Sequence, residues 1–170
     1  MDQSNNHTPL KEFALDFARD KWEYGWNSHQ GNVLKECFHE EGTYWDPDCG
    51  LTTKDGVPDM IRNIEKGVPD YIFAVHPGTV IFMQTSPDTF NLALRWTMLG
   101  LNGKLRVPGI DYLEFKNRKI VRATTYFDNV QCIRQIKGKI DKCGTPTDTQ
   151  DAIKSSKTGG EWNIQLLSKY

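Results

Sequence analysis

The chain has 170 residues, of which 38% are apolar and 11% are aromatic, which is enough for one domain with a buried core. Its 21 basic and 22 acidic residues give a formal net charge of -1, so there is no electrostatic reason to expect nucleic acid or an anionic membrane as a partner. A small neutral or weakly charged ligand fits this balance better.

The N-terminal sequence MDQSNNHTPLKEF is polar, and no apolar run is long enough to span a bilayer. We therefore expect a cytoplasmic protein without a secretory signal. The cysteines are widely scattered and form no C-x-x-C pair, which indicates neither a zinc site nor a redox motif. We expect no metal and no cofactor, and free, mostly buried thiols at Cys37, Cys49, Cys132 and Cys143.

Three segments have helical periodicity. Apolar residues recur in two stripes between Pro9 and His29, and a helix that is apolar on two sides usually packs between other elements. A short second helix is predicted within residues 31–40. A third is predicted over Val57–Lys66, with Gly67 just past its end, as helix termini prefer.

Strands dominate the second half of the chain. A short strand is predicted at Gly42–Asp46, and β-branched and aromatic residues predict consecutive strands after Pro69. Asn102-Gly103 between two of these runs predicts a two-residue hairpin turn. Pro108-Gly109 inside another run predicts a bulge or bend. The runs are YIFAV, TVIFMQ, TFNLALRWTMLGL, KLRVPGIDYLEF and KIVRATTYFD.

This order of elements predicts an α+β fold in which one curved sheet wraps around packed N-terminal helices and leaves a conical interior for a small molecule. We expect a flexible N-terminus over residues 1–8, one domain over residues 9–140, and a polar tail over residues 141–170. The tail ends in apolar residues that can dock on the body, on a second subunit or over a pocket mouth; these are Trp162, Ile164, Leu166 and Leu167.

Two aspartates stand in strand-like runs. Asp46 in TYWDPDCG shares a strand face with Tyr44, and Asp111 in VPGIDYLEF shares one with Leu113. A carboxylate among apolar neighbours either reaches solvent or has a raised pKa, which acid-base catalysis at neutral pH requires. The residues alone leave alternatives open. Asp46 can cap backbone amides in a turn, and Asp111 can face outwards or pair with a cation such as Arg106.

The layout resembles the nuclear transport factor 2-like superfamily. The likeness rests on YWDPDCG after two helices and VPGIDYLEFKNRKIVRATTYFD near the end, and it covers roughly residues 9–137. Within the superfamily, the chain is most similar to ketosteroid isomerases and SnoaL-like polyketide cyclases. The resemblance implies a cone-shaped (cystatin-like) fold with a mixed sheet, and a homodimer formed through the outer face of that sheet.

The resemblance also implies an activity. It points to a cofactor-independent isomerase, cyclase or dehydratase in secondary-metabolite biosynthesis, acting on a hydrophobic carbonyl compound of polyketide, terpenoid or steroid class. Asp46-Pro47 looks like the Asp-Pro pair that carries the isomerases' general base. Pro108-Gly109-Ile110-Asp111 resembles, with one inserted glycine, the segment whose aspartate stays protonated and stabilises an enolate oxygen. Asp48 matches nothing in this pattern and is predicted to be a turn residue.

The first helix departs from the isomerase pattern. Trp22 stands where the isomerases place an oxyanion-binding tyrosine, and an indole N–H donates one hydrogen bond but supplies no proton. This weakens the expectation of genuine steroid isomerisation and leaves the broader carbonyl-activating chemistry. Three tyrosines are candidate replacements: Tyr24, Tyr44 and Tyr126.

Other residues have two interpretations each. His76 in VHPG is either an acid-base partner or a solvated turn residue, and Arg95 either orients an anionic substrate group or pairs with an acid. Asp128 lies where SnoaL-like sequences carry an acid, and a helix-capping role with Gln131 also explains it. The predicted pocket residues, which equally suit an ordinary core, are Trp22, Tyr44, Trp96, Met98 and Phe127.

The alternative to an enzyme is a non-catalytic ligand-binding or dimerisation module of the same fold. In such a module the two aspartates would face solvent or pair with cations, and side chains would fill the cone.

Overall fold

The computed structural model describes residues 9–137 and the segment 164–166. The helices are α1 (Leu10–Asp16), a π-helix (Phe17–Glu23) that continues it, α2 (Tyr24–Asn27), α3 (Gly31–Lys35), α4 (Val57–Gly67) and α5 (Asn129–Ile136). The strands are β1 (Phe38–Asp46), β2 (Gly50–Thr53), β3 (Ile72–Val75), β4 (Val80–Gln84), β5 (Thr89–Gly100), β6 (Leu105–Lys116), β7 (Lys119–Phe127) and β8 (Ile164–Leu166).

The strands form one mixed sheet in the order β2-β1-β7-β6-β5-β4-β8, and β3 pairs with β5 beside this path. The pairs β1–β7 and β4–β8 are parallel, and the other pairs are antiparallel. The longest pair, β5–β6, runs without interruption from Thr89 opposite Lys116 to Gly100 opposite Leu105. The predicted α+β fold, with a mixed sheet around N-terminal helices, is confirmed.

The N-terminal helical segment packs against the sheet through aromatic side chains. Phe17 meets Phe115 of β6 edge-on at 4.9 Å between ring centroids, and Trp26 stacks on Phe73 of β3 at 5.2 Å. Burying a large apolar side chain of this kind contributes roughly 1.5–3 kcal/mol. Two different strands thus hold the segment, as its two apolar stripes suggest.

The turn between β5 and β6 differs from the prediction. Asn102 and Gly103 lie in a wider loop, residues 101–104, instead of forming a two-residue turn. The Asp70 carboxylate accepts hydrogen bonds from the backbone N–H groups of Leu101 and Asn102, at 2.7 and 2.6 Å. These contacts stabilise the wider loop, and no local sequence pattern reveals them.

Of the bulge or bend predicted at Pro108-Gly109, the bulge is wrong, because the β5–β6 register is continuous there and Gly109 lies opposite Trp96. The bend stays a prediction. Glycine is needed at this position for another reason. A Cβ on Gly109 would lie 2.2 Å from the Trp96 indole, so the missing side chain makes room for that ring.

The chain ends are only partly described. β8 adds a parallel strand beside β4. The expected flexible N-terminus at residues 1–8 lies outside the described residues, as do tail residues 141–163 and 167–170 with Trp162, Leu167 and Cys143. Among the described residues, no helix is long and apolar enough to cross a membrane.

Candidate active site

A cavity of about 210 Å³ lies between the sheet and helices α4 and α5. Aromatic and aliphatic side chains form most of its wall. Two carboxylates belong to the wall, and no lysine, arginine or histidine of the described residues does. The lining residues are Trp26, Tyr44, Asp46, Asp48, Cys49, Asn63, Ile64, Gly67, Val68, Phe73, Trp96, Met98, Thr125, Phe127, Cys132 and Ile136.

Asp46 occupies the wall at the end of β1. Strand alternation puts it on the same face as Tyr44, and both side chains are buried. Its Oδ1 accepts hydrogen bonds from the backbone N–H groups of Asp48, at 2.8 Å, and Cys49, at 3.1 Å. Asp46 therefore caps a turn, as one of the two interpretations predicts, and it also lies in the cavity wall.

The surroundings of Asp46 suit a general base. Burial raises the pKa of its carboxyl group, while the hydrogen bonds from Asp48 and Cys49 lower it in part. A carboxylate with a raised pKa is a stronger proton acceptor than an exposed one, and the turn fixes its orientation. The neighbouring Cys49 is exposed as a residue, but partial desolvation of its thiol at the cavity wall and the nearby Asp46 and Asp48 carboxylates raise the thiol pKa to about 11, so it is not an activated nucleophile.

Asp111 does not line the cavity, contrary to the expectation that both aspartates face it. It is completely buried in β6, one layer behind the wall. Its Oδ1 accepts a 2.7 Å hydrogen bond from the Thr125 hydroxyl, and its Oδ2 accepts one of 2.7 Å from the Trp22 indole N–H. Thr125 pairs with Asp111 across β6 and β7 and lies in the wall in front of it.

The charge state of Asp111 is finely balanced. Burial raises the pKa of its carboxyl group to about 6, and hydrogen bonds from Thr125 and Trp22 oppose this rise. The Trp96 indole N–H also lies close enough to lower the pKa, although it makes no hydrogen bond of ordinary geometry. The nearby Asp46 carboxylate raises the pKa again.

Thr125 connects Asp111 to the cavity. Its hydroxyl oxygen lies 2.6 Å from the Tyr44 hydroxyl, so Asp111, Thr125 and Tyr44 form one buried hydrogen-bond chain. Burial and the two carboxylates raise the pKa of Tyr44, which keeps the phenol neutral at physiological pH. Thr125 is not among the site residues predicted from the sequence, although its place as a polar residue at an inward position of a strand is a signal for it.

The other predicted site residues divide into two groups. Trp96, Met98 and Phe127 line the cavity, and Trp22 lies behind the wall with Asp111. The residues outside the cavity are Tyr24, His76, Arg95 and Tyr126.

Strand alternation explains why two of these four point away from the cavity. Arg95 and Tyr126 are exposed, and each directly precedes a residue of the wall. His76 bonds to the Thr97 hydroxyl at 2.8 Å, away from the cavity. Asp128 caps α5 by accepting the Gln131 backbone N–H at 2.9 Å.

Within the described part of the chain, no group of three or more acidic, histidine or cysteine side chains is arranged to hold a metal ion. Three of the four cysteines are described, and they are free thiols: Cys37 and Cys132 are buried, and Cys49 is exposed.

Comparisons with known proteins identify the fold. No model of a protein family matches the sequence, and no curated protein matches it. Among solved structures, a loop truncation variant of IdmH matches with a TM-score of 0.55 at 17% identity, over 72% of this chain and 98% of that one.

Two further solved structures are similar. The hexachlorocyclohexane dehydrochlorinase LinA-type3 from Novosphingobium barchaimii LL02 has a TM-score of 0.60 at 15% identity, over 70% of this chain and 87% of that one. A nuclear transport factor 2-like protein of unknown function from Burkholderia pseudomallei K96243 has a TM-score of 0.57 at 16% identity, over 73% of this chain and 97% of that one. These likenesses show the fold.

Proposed function

We propose that this chain, which has the nuclear transport factor 2-like fold, is a cofactor-independent acid-base enzyme acting on a hydrophobic carbonyl compound. The observation that carries the proposal is the position of Asp46. Its carboxylate is buried, has a raised pKa, is fixed by two backbone N–H groups and lies in the wall of a mainly apolar cavity.

In the proposed reaction, Asp46 takes a proton from the carbon next to the substrate carbonyl. The electron pair of the broken C–H bond moves to the carbonyl oxygen and forms an enolate, and Asp46 becomes a neutral acid. Return of the proton to another carbon gives isomerisation. In a cyclase, the enolate carbon instead forms a bond to a second carbonyl carbon of the substrate, whose oxygen takes the C=O π pair and the proton from Asp46. In a dehydratase, the enolate re-forms its carbonyl group as a hydroxyl on the next carbon leaves as water with the proton from Asp46.

The wall narrows the class of substrate. It has two carboxylates and no cationic side chain among the described residues, which disfavours an anionic molecule. The cavity of about 210 Å³ is smaller than the ~300–1,000 Å³ typical of drug-sized ligands. Among the polyketide, terpenoid and steroid classes, we therefore favour a polyketide or terpenoid of one or two rings, formed in secondary-metabolite biosynthesis, over a four-ring steroid.

A non-catalytic binding module is the second candidate. The position of Asp111 favours it, because a carboxyl group behind the wall makes no direct contact with a ligand. Under this candidate the cavity binds the same hydrophobic molecules, and Asp46 only caps its turn.

We also propose that the chain forms a homodimer through the outer face of the sheet. Trp45 of β1 and Tyr126 of β7 lie there with ring centroids 6.2 Å apart, and Ile110 of β6 pairs with Tyr126. All three side chains are substantially exposed, at 39%, 55% and 44%. An apolar patch of this kind on neighbouring strands is typical of a protein interface.

Proton abstraction is testable without the natural substrate. Acetophenone has one aromatic ring and exchangeable methyl protons beside its carbonyl group. We expect the protein to catalyse exchange of these protons in deuterium oxide, followed by proton NMR. Asp46→Asn should slow the exchange about 100-fold or more, because a general base typically contributes that much.

Asp128→Asn is the matched control, since asparagine also caps a helix and Asp128 lies outside the cavity. It should leave the exchange unchanged. If acetophenone binds but its protons do not exchange, the enzyme is rejected in favour of the binding module. Equal exchange rates in Asp46→Asn and the unmodified protein would lead to the same conclusion.

A further inference from the structure

The hydrogen-bond chain behind the cavity wall contains three contacts of definite length. The Trp22 indole N–H donates to Asp111 Oδ2 at 2.7 Å, the Thr125 hydroxyl bonds to Asp111 Oδ1 at 2.7 Å, and the Tyr44 hydroxyl bonds to the Thr125 hydroxyl at 2.6 Å. An indole N–H only donates, whereas each hydroxyl donates one proton and also accepts. These rules fix the direction of the chain in each charge state of Asp111.

When Asp111 is ionised, both of its oxygens accept. Thr125 gives its only hydroxyl proton to Asp111, so it must accept from Tyr44. The Tyr44 proton then points towards Thr125, behind the wall. Only oxygen lone pairs of Tyr44 remain for the cavity, and these repel a carbonyl or enolate oxygen.

When Asp111 is protonated, Oδ2 still accepts from Trp22, and the acid proton therefore resides on Oδ1. A buried proton without an acceptor is costly, so this proton is donated to the Thr125 oxygen. Thr125 then donates to Tyr44, and the Tyr44 hydroxyl proton is released to donate into the cavity. Protonation of Asp111 therefore exchanges donor and acceptor in two hydrogen bonds, Asp111–Thr125 and Thr125–Tyr44. No covalent bond in the substrate changes.

We propose that Asp111 is a positioning residue whose protonation turns the Tyr44 hydroxyl into the donor that binds the substrate oxygen. Tyr44 is then the catalytic oxyanion donor, and Thr125 relays the state of Asp111 to it. This inference rests on the proposed function, because it assumes that a carbonyl oxygen occupies the cavity that Tyr44 lines.

The groups facing Asp111 make both charge states accessible. The donors Trp22, Thr125 and Trp96 come from the π-helix, β7 and β5 and favour the ionised form. Burial and the Asp46 carboxylate of β1 favour the protonated form, and together these effects set the pKa of Asp111 at about 6. This pKa is close enough to neutral pH that a bound ligand oxygen, which favours the protonated form of Asp111, can raise it further.

The direction of the Tyr44 hydroxyl can be observed on a bound ketone. The carbonyl stretch of acetophenone labelled with carbon-13 at the carbonyl moves to lower frequency when its oxygen accepts a hydrogen bond. In the unmodified protein we expect the lower frequency at pH 5 and a higher frequency at pH 8. Binding should be about tenfold weaker at pH 8, the size of one hydrogen bond.

Variants separate positioning from simple structural support. Asn at position 111 offers an oxygen to Trp22 and an N–H to Thr125, so Asp111→Asn should give the lower frequency at every pH. Tyr44→Phe should give the higher frequency at every pH. Thr125→Val should abolish the pH dependence, and the conservative Thr125→Ser should restore it.

A second measurement needs no ligand and uses carbon-13 NMR of the free protein. The Tyr44 Cζ and Asp111 Cγ resonances should titrate with one common midpoint, and the Tyr44 change should disappear in Thr125→Val. If acetophenone does not bind, this titration decides the matter. A Tyr44 resonance that ignores Asp111, or that follows it equally well in Thr125→Val, would overturn the inference.

The outcomes also separate this inference from the proposed function. Proton exchange without a pH-dependent carbonyl frequency would retain Asp46 as the base and reject the role of Asp111. A pH-dependent frequency without exchange would retain the hydrogen-bond chain and reject the enzyme. A pH shift that persists in Tyr44→Phe would also reject the chain.

Discussion

Trp22 and Asp111 are 89 residues apart in the chain, and their side chains meet in a 2.7 Å hydrogen bond from the indole N–H to Oδ2. Both side chains are completely buried. The bond joins the π-helix to the middle of β6. The resemblance noted from the sequence would put an oxyanion-binding tyrosine at the position of Trp22. In this chain the position holds a carboxylate in place instead of reaching a substrate.

Trp22→Phe should destabilise the fold by more than the smaller ring alone would cost, because Asp111 Oδ2 also loses its hydrogen-bond donor. Trp26→Phe is the matched control. Trp26 is also a buried tryptophan of this helical segment, and its indole nitrogen has no hydrogen-bond partner among the described residues. We expect Trp22→Phe to cost about 1–3 kcal/mol more than Trp26→Phe in urea unfolding at pH 8, and less at pH 5. Equal costs at pH 8 would contradict this account.

The stability of the fold should depend on the protonation of Asp111 and Glu23. Burial raises the pKa of Asp111 from 3.8 to about 6, and that of Glu23 from 4.5 to about 7. The folded state therefore binds more protons than the unfolded state in these ranges. The free energy of unfolding must then fall as pH rises, by roughly 3 kcal/mol for each group.

Replacing each acid by its amide isolates the contribution of that residue to the fall in the free energy of unfolding with rising pH. Asp111→Asn should remove the part between pH 4 and 6, and Glu23→Gln the part between about pH 4.5 and 7. Glutamine keeps an oxygen acceptor for the Val75 backbone N–H, which Glu23 binds at 2.7 Å. Urea unfolding across this range measures the difference from the unmodified protein, and a difference that stays constant with pH would refute the prediction for that residue.

Gly109→Ala should disturb the cavity through Trp96, because the new methyl group would lie 2.2 Å from the indole ring. Overpacking of this kind costs about 1–3 kcal/mol. We expect a lower urea midpoint, a shifted Trp96 indole NMR signal and weaker acetophenone binding. Gly78→Ala is the control, since no heavy atom lies within 4 Å of its added Cβ. An unchanged Trp96 signal in Gly109→Ala would show that the ring is not held by this contact.

Ile110→Lys should convert the proposed homodimer into a monomer, because it places a charge within the exposed patch on the outer face of the sheet, next to Tyr126. Light scattering coupled to size-exclusion chromatography measures the mass. Val130→Lys, at an exposed position of α5, should keep the dimer. A monomeric unmodified protein, or equal masses for the two variants, would count against this interface.

Local sequence patterns predict much of the fold, and in the site they predict the orientation of the β1 side chains. Alternation along β1 places Tyr44 and Asp46 on one face, and the structure finds both side chains buried in the cavity wall. Alternation has a period of two residues and is set by the backbone itself, so it is readable from a short run of sequence.

Alternation along a strand predicts the face on which a residue such as Asp111 lies, whereas its depth and its partners depend on tertiary packing. Asp111 is an inward-facing residue, but the pairing of β6 with β7 puts Thr125 in front of it, and the packing of the π-helix brings Trp22 to its other oxygen. These contacts join segments far apart in the chain. They arise because strand register and helix packing minimise the free energy of the whole core, which no local pattern encodes.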